Sequence, residues 1–166
     1  MSDEWILETA RGPVVLRPEQ SADGDFLYAL FRSHALPGFA ALPIDDAMKE
    51  SLVRMQFTSQ TATYRAQYPD ARFLVLECDR TPIGRLVLHE GADAATIVDL
   101  ALLPHTRGGG IGSAVLGGLV TTLRPRGTAL RCTVLCTNEA SLRMCRRAGF
   151  VPIRESPPHV ELEWRP

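Results

Sequence analysis

Four glycines lie within five positions of one short segment of this sequence, directly before an apolar run. The segment reads "HTRGGGIGSAVL" (residues 105–116), and the apolar stretch "TIVDLALLP" precedes it. Glycine has no side chain to keep backbone N–H groups away from a bulky anion, and the positive end of a following helix adds to the attraction. The pattern favours an anion-binding loop between a strand and a helix. A glycine-rich turn without a ligand has the same composition.

Two well-known phosphate-binding patterns do not fit this loop. A Walker loop needs a lysine after its last glycine, but Ser113 follows Gly112. A dinucleotide fingerprint needs a glycine at its sixth position and an acidic residue about 20 positions further on. The sixth position here is Ser113 or Val115, depending on the starting glycine, and the region near residue 130 has Arg131 instead of an acidic residue. The pattern that remains is R-x-x-G-x-G, which still favours a diphosphate.

A second pattern follows the next predicted strand, in "NEASLRMCRRAGF" (residues 138–150). It begins with asparagine, has a small residue three positions on, and ends in Gly-Phe. The ordered pair resembles the two signatures of the GNAT superfamily of acyl-CoA-dependent N-acyltransferases. "RGGGIG" matches the first signature, R/Q-x-x-G-x-G/A, at every fixed position. The motifs cover residues 97–150, and the rest of the chain agrees in element order alone.

The resemblance implies an α/β (α+β) fold of the GNAT type over one domain, residues 1–166. We expect a mixed central sheet of about six to seven strands flanked by about four helices. The fourth and fifth strands of the family splay apart, and acetyl-CoA, the cosubstrate, lies in the gap. Here that gap falls between "VDLALL" and "CTVLC".

The resemblance also implies which residues hold acetyl-CoA. Backbone groups of Leu100, Ala101 and Leu102 pair with the pantetheine arm as a strand does. The pyrophosphate lies on the glycine loop, and an asparagine contacts the cosubstrate from the far side. The loop residues are Arg107, Gly108, Gly109, Gly110, Ile111 and Gly112, and the asparagine is Asn138.

Asp99 is the candidate catalytic base for acyl transfer to an amine. The ammonium must lose a proton, an oxyanion must be stabilised, and a thiolate must leave. Many family members have an acidic residue at the position of Asp99, and a backbone N–H near Leu102 is the family-type oxyanion donor. A carboxylate within "TIVDLALL" is costly to bury unpaired, and its raised pKa suits a base. The alternative is a structural carboxylate that caps a turn or pairs with an arginine.

Cys145 stands where the family usually has a tyrosine that donates a proton to the departing thiolate. A thiol, with a reference pKa of about 8.5, is a candidate donor, but its side chain is much shorter than a phenol. The alternative is that Cys145 packs against the helix, as free cysteines often do. Tyr64, Tyr68 or a water are further candidates for the proton donor.

The predicted activity is transfer of an acetyl group from acetyl-CoA to a primary amine by direct attack in a ternary complex. The alternative is a non-catalytic acyl-CoA-binding or interaction module with the same fold, which the missing tyrosine favours and Asp99 opposes. The acceptor is either a small-molecule amine or an amine of a protein or peptide. Family members are often dimers, so a homodimer is one expectation.

The composition of the chain indicates which classes of partner to expect. The 166 residues carry a net charge of −1, with 18 basic and 19 acidic side chains, so we expect no nucleic acid or membrane partner. Four cysteines and four histidines show no metal-ligand spacing, which predicts no metal and reduced thiols. With no apolar stretch of signal-peptide or membrane length, we expect a cytoplasmic location.

The elements that position these residues follow from hydrophobic periodicity. We predict helices over about 22–33, 46–67, 111–123 and 138–149. The strands "ATIVDLALL" and "ALRCTVLC" flank the third helix, and they form a right-handed parallel crossover if they pair. The remaining strands are "ILETA", "PVVLR", "RFLVLEC", "IGRLVLHE", "FVPIRE" and "VELEWR".

Overall fold

Eight strands form one mixed sheet in the computed structural model, which describes residues 5–166. The spatial order is β1-β2-β3-β4-β5-β6-β8-β7, so the expected count of six to seven is too low. The count rises because both terminal pairs of strands join the central sheet rather than standing apart from it. The strands are β1 Trp5–Thr9, β2 Gly12–Pro18, β3 Arg72–Cys78, β4 Thr81–Glu90, β5 Ala94–Leu102, β6 Ala129–Leu135, β7 Val151–Ser156 and β8 His159–Trp164.

Four α-helices accompany the sheet, as predicted: α1 Gly24–Ala35, α2 Asp46–Gln67, α3 Ile111–Leu123 and α4 Glu139–Arg147. The bounds of α2 and α3 match the prediction. Helix α1 lies two residues later than expected, because residues 21–23 form a separate 3-10 turn before it. None of the helices in residues 5–166 is both long and apolar enough to cross a membrane.

The sheet has a packed face and a face that bears polar residues. Helices α3 and α4 cover the first, where Leu88, Ile97 and Val115 belong to one buried cluster. Helices α1 and α2 lie over the opposite face, where Val87 is buried outside that cluster. One irregularity in the pairing of β4 with β5 decides on which of these faces Asp99 lies.

That irregularity is a β-bulge at Val98. Val87 pairs with Asp99, whereas the next residue, Leu88, pairs with Ile97. Paired residues share a face and successive residues of a strand alternate, so Asp99 and Ile97 point to opposite faces although they are two positions apart. The bulge therefore turns Asp99 away from the apolar cluster and towards α1 and α2.

Strands β5 and β6 separate halfway along their length, which confirms the expected splay. Their parallel pairing runs from Ala94 with Ala129 to Ile97 with Cys132 and ends there. Beyond that point β5 continues to pair with β4, and β6 with β8. One edge of β5 over residues 98–102 is thus left without β6 as a partner.

Candidate active site in the cleft between β5 and β6

A cleft of about 600 Å³ opens where the two strands diverge, a volume typical of small-molecule sites. It brings together most of the residues that the sequence pointed to. Gly109, Cys145 and the two candidate tyrosines, Tyr64 and Tyr68, are not among the residues that line it. Those on its walls are Asp99, Leu100, Ala101, Leu102, Arg107, Gly108, Gly110, Ile111, Gly112 and Asn138.

The glycine loop presents free backbone donors to the cleft. Gly108 and Gly110 have φ of +75° and +79°, which any larger residue adopts only with strain. The first helical hydrogen bond of α3 runs from the N–H of Ala114 to the carbonyl of Gly110, at 2.9 Å. The N–H groups of residues 111–113 therefore have no acceptor within the helix and lie at its positive end. This arrangement suits an anion such as a diphosphate.

Two other glycines of the loop serve close packing. A Cβ atom on Gly112 would lie 2.8 Å from Sδ of Met144, so glycine here lets α3 approach α4. Gly109 faces the side chain of Arg11, in the turn between β1 and β2, rather than the cleft. Its predicted contact with the cosubstrate therefore lacks support from its position.

The side chain of Arg107 joins three elements. Its Nε donates to the carbonyl oxygen of Leu102 at 3.2 Å, and its Nη2 lies 2.9 Å from Nδ1 of His34. Partial burial, then the charge of Arg107, lowers the pKa of His34, so the ring is neutral at pH 7. These contacts fit the His34 tautomer that carries its proton on Nε2. Nδ1 then accepts a hydrogen bond from Arg107, and Nε2 donates one to the carbonyl oxygen of Leu102 at 3.1 Å. The end of β5, the loop and α1 are thereby held together.

Asp99 lies in the cleft with 26% of its side chain exposed. Protein surrounds the rest of the carboxylate, and this burial raises its pKa. The charge of Arg85 and a hydrogen bond from the N–H of Leu100 oppose the rise. A carboxylate that is reachable from the cleft and has a raised pKa has the properties of a general base.

Arg85 is a cleft residue that sequence reasoning missed. It lies on β4, is only 5% exposed, and its Nε is 3.5 Å from Oδ2 of Asp99. Its Cζ lies 5.5 Å from the centre of the Tyr64 ring, on α2. The signal in the sequence was a charged residue within the apolar strand "IGRLVLHE", the counterpart of the aspartate within "TIVDLALL".

Cys145 packs in the core instead of facing the cleft. It is 3% exposed, and its Sγ lies 3.8 Å from Sγ of Cys132 on β6. The hydrogen bond between the sulfurs, together with burial, raises the pKa of the Cys132 thiol. These positions support the alternative interpretation, in which the cysteine is a packing residue.

Asn138 combines a place on the cleft wall with a structural task. Its Oδ1 accepts a hydrogen bond from the N–H of Ser141 at 3.1 Å and so begins α4. It lines the cleft together with residues of β5 and of the glycine loop. Across residues 5–166, no cluster of three or more histidine, cysteine or acidic side chains is arranged to hold a metal ion.

Comparison with known families agrees with this geometry. A sequence profile of the acetyltransferase (GNAT) family matches residues 40–150. The matched segment contains the glycine loop, Asp99 and the second motif. No curated protein sequence gives a significant match.

Solved structures share the fold at low sequence identity. The PaiA N-acetyltransferase from Thermoplasma acidophilum, in complex with coenzyme A, is similar with a TM-score of 0.70 and 21% identity, over 92% of this chain and 99% of that one. An acetyltransferase from Thermus thermophilus has a TM-score of 0.64 and 23% identity, over 92% and 97%. The ribosomal-protein-S18-alanine N-acetyltransferase from Escherichia coli has a TM-score of 0.64 and 17% identity, over 92% and 93%.

The chain belongs to the GNAT acetyltransferase family. It is an acyltransferase whose cosubstrate is acetyl-CoA. The resemblance seen in the two motifs is confirmed.

Proposed function

We propose that this GNAT acetyltransferase moves the acetyl group of acetyl-CoA to a primary amine by direct attack in a ternary complex, with Asp99 as the general base. The observation that carries the proposal is the position of Asp99. The bulge at Val98 turns its carboxylate into the cleft, beside the edge of β5 that β6 leaves free. Acetyl-CoA supplies an activated thioester; the chain has to orient it and move protons.

The free edge of β5 is suited to the pantetheine arm. An extended chain of amides pairs with a strand edge as another strand does, and residues 98–102 offer such an edge over the splayed part of the sheet. Leu100, Ala101 and Leu102 line the cleft there. We assign the N–H near Leu102 to the developing oxyanion, as the family resemblance implies.

The pyrophosphate is assigned to the backbone of the glycine loop. The N–H groups of residues 111–113 and the left-handed glycines Gly108 and Gly110 supply donors without side-chain obstruction. Arg107 supports this assignment indirectly, because its guanidinium contacts Leu102 and His34 and so fixes the loop. We assign Asn138, which lines the same cleft, to a further contact with acetyl-CoA.

Proton transfer is assigned to Asp99 at the acceptor side. Its carboxylate accepts a proton from the attacking nitrogen, directly or through a water. For the leaving thiolate we propose a water as donor in place of Cys145. Tyr64 is the side-chain alternative, although it is not among the residues that line the cleft. Burial, and next the charge of Asp99, raises the pKa of Tyr64, so it keeps its proton at neutral pH.

The test is thiol release from acetyl-CoA across a broad panel of primary amines, with wild type, Asp99→Asn, Cys145→Ala and Tyr64→Phe. We expect turnover by wild type and Cys145→Ala, and a large loss in Asp99→Asn with acetyl-CoA affinity retained. Stabilisation by acetyl-CoA without release of thiol for any amine would favour the non-catalytic binding module instead.

A further inference from the structure

Arg85 has hydrogen-bond donors that nothing in the described chain satisfies. The residue is 95% buried, since only 5% of its surface is exposed, and it lines the cleft. Its Nε and Nη2 donate to no acceptor within residues 5–166. Buried guanidinium donors without an acceptor are costly, so Nε and Nη2 favour a ligand that brings an acceptor group with it.

Asp99 neutralises the charge of Arg85 without using its donors. The separation of 3.5 Å between Nε and Oδ2 exceeds the 2.7–2.9 Å that is usual for a charge-assisted hydrogen bond. The other arginine–carboxylate pairs of the described chain are shorter; Arg17 and Asp23, for example, lie at 2.7 Å. Both members of the cleft pair thus keep hydrogen-bonding capacity for a third group.

The cleft offers no second carboxylate for Arg85. Of the described residues that line the cleft, three are arginines and one, Asp99, is acidic. On the acceptor side the wall is otherwise apolar or neutral, with Leu30 and Phe31 from α1 and Gln60 from α2. Tyr64 presents its ring at 5.5 Å, a contact that supplies no hydrogen-bond acceptor. The acceptor for these donors therefore comes from outside the described residues, and in the occupied cleft a ligand is in a position to supply it.

We infer that Arg85 binds a carboxylate of the acceptor, and that the acceptor is a small amino-acid-like molecule with its amine and free carboxylate only a few atoms apart. The inference rests on the proposed function, because Asp99 has to receive the amine. The two side chains lie 3.5 Å apart, so groups bound to them belong to neighbouring atoms of one molecule. A planar guanidinium matches a carboxylate through two parallel hydrogen bonds. A polyamine or an ordinary peptide N-terminus offers no such carboxylate.

The experiment compares matched acceptors that share one amine. Each free amino acid of a panel is paired with its amide and with the amine that lacks the carboxylate, and kcat/KM is measured by thiol release. Wild type is compared with Arg85→Met and Arg85→Lys, with Arg54→Met as a control at an exposed arginine of α2 outside the cleft lining. Coenzyme A affinity and thermal melting establish that each variant is folded.

We expect wild type and Arg54→Met to prefer the free acid over its amide by roughly 10- to 100-fold, the range of a charge-assisted hydrogen bond. Arg85→Met should lose the preference while it still acetylates the amides, and Arg85→Lys should keep part of it. Equal use of acid and amide by wild type would overturn the inference. A preference that survives in Arg85→Met would overturn it as well.

A failure of the proposed function gives a different result. If no amine in the panel releases thiol, binding of the amino acids to the coenzyme A complex is measured by calorimetry. If the amino acids bind to wild type and to Arg54→Met but not to Arg85→Met, the proposed carboxylate site is supported and the proposed acetyl transfer is rejected. Absence of binding, or binding that is equal in the two variants, would reject the site.

Discussion

Nε of Arg85 lies 3.5 Å from Oδ2 of Asp99, on the face of the sheet that α1 and α2 cover. The pair joins two neighbouring strands, and the bulge at Val98 is what places both side chains on one face. Burial and the arginine act in opposite directions on Asp99, since burial raises its pKa and Arg85 lowers it. The pair therefore sets the pH at which the proposed base loses its proton.

Replacing Arg85 by methionine should shift the acidic limb of the pH–rate profile to higher pH. The substitution removes the charge that lowers the pKa of Asp99 and leaves the burial that raises it. The base then stays protonated up to a higher pH. The measurement is kcat/KM against pH with an amide acceptor, which does not need the carboxylate site. A limb that stays in place would show that Arg85 does not act on the base.

Gly110→Ala should weaken coenzyme A binding and lower stability by about 1–2 kcal/mol, the cost of the left-handed conformation for a residue with a side chain. No atom lies within 4 Å of the added Cβ, so the cost is conformational. Gly117→Ala, on α3 with similar open space, is the matched control and should stabilise by about 0.5–1 kcal/mol. Urea denaturation and calorimetric titration test both, and equal behaviour of the two would contradict the loop geometry.

Cys145→Ala should reduce stability by about 1 kcal/mol and leave kcat nearly unchanged. The sulfur fills space in the core against Cys132 and does not line the cleft. Cys132→Ala removes the other sulfur of that contact, and we expect the same small loss of stability and the same unchanged kcat. A fall in kcat that is specific to Cys145→Ala would return this thiol to the mechanism.

The ion pair at the start of α1 should make stability depend on acid pH. Asp23 bonds to Arg17 at 2.7 and 2.8 Å, and this bonding lowers its pKa against the opposing effect of burial. A carboxyl whose pKa is lower in the folded state stabilises the protein fully when the pH is above its pKa in the unfolded chain, about 3.9. This contribution is lost as the pH falls towards the pKa of the folded state. Asp23→Asn should therefore cost about 2–3 kcal/mol at pH 7.

Denaturation of wild type and Asp23→Asn at pH 7 and pH 3.5 tests this dependence. The difference between the two proteins should shrink at the lower pH, because wild type loses the contribution there. Asp46→Asn, at an exposed position of α2, serves as the control and should leave the free energy of unfolding nearly unchanged. A difference that is constant with pH would contradict the assignment.

Helix boundaries were predictable where a local signal marks them. Asp45 accepts a hydrogen bond from the N–H of Met48 at 2.7 Å and begins α2, and the left-handed Gly110 begins α3. The start of α1 was less well predicted, because residues 21–23 form a 3-10 turn that leads directly into the helix. Periodicity does not separate the two over so few residues.

The candidate site was predictable to the extent that it is local in sequence. Asn138 and the loop residues other than Gly109 line the cleft, because each depends on one turn before one helix. Arg85 was missed because its contact with Asp99 depends on the register between two strands, and the bulge at Val98 sets that register. Cys145 occupies the position of the family's tyrosine, but a short side chain there packs against β6 and does not reach the cleft.

The pH dependence of kcat/KM for wild type and Asp99→Asn tests the central claim most directly. The acceptor in this measurement is a weakly basic amine that stays neutral over the whole pH range, so its own titration does not contribute to the profile. For wild type we expect a rate that falls with decreasing pH through a pKa raised above the ordinary range of an aspartate. Asp99→Asn should lack this limb and turn over roughly 10²- to 10⁴-fold more slowly, with unchanged acetyl-CoA affinity. A variant that keeps both the limb and the rate would show that Asp99 is not the base.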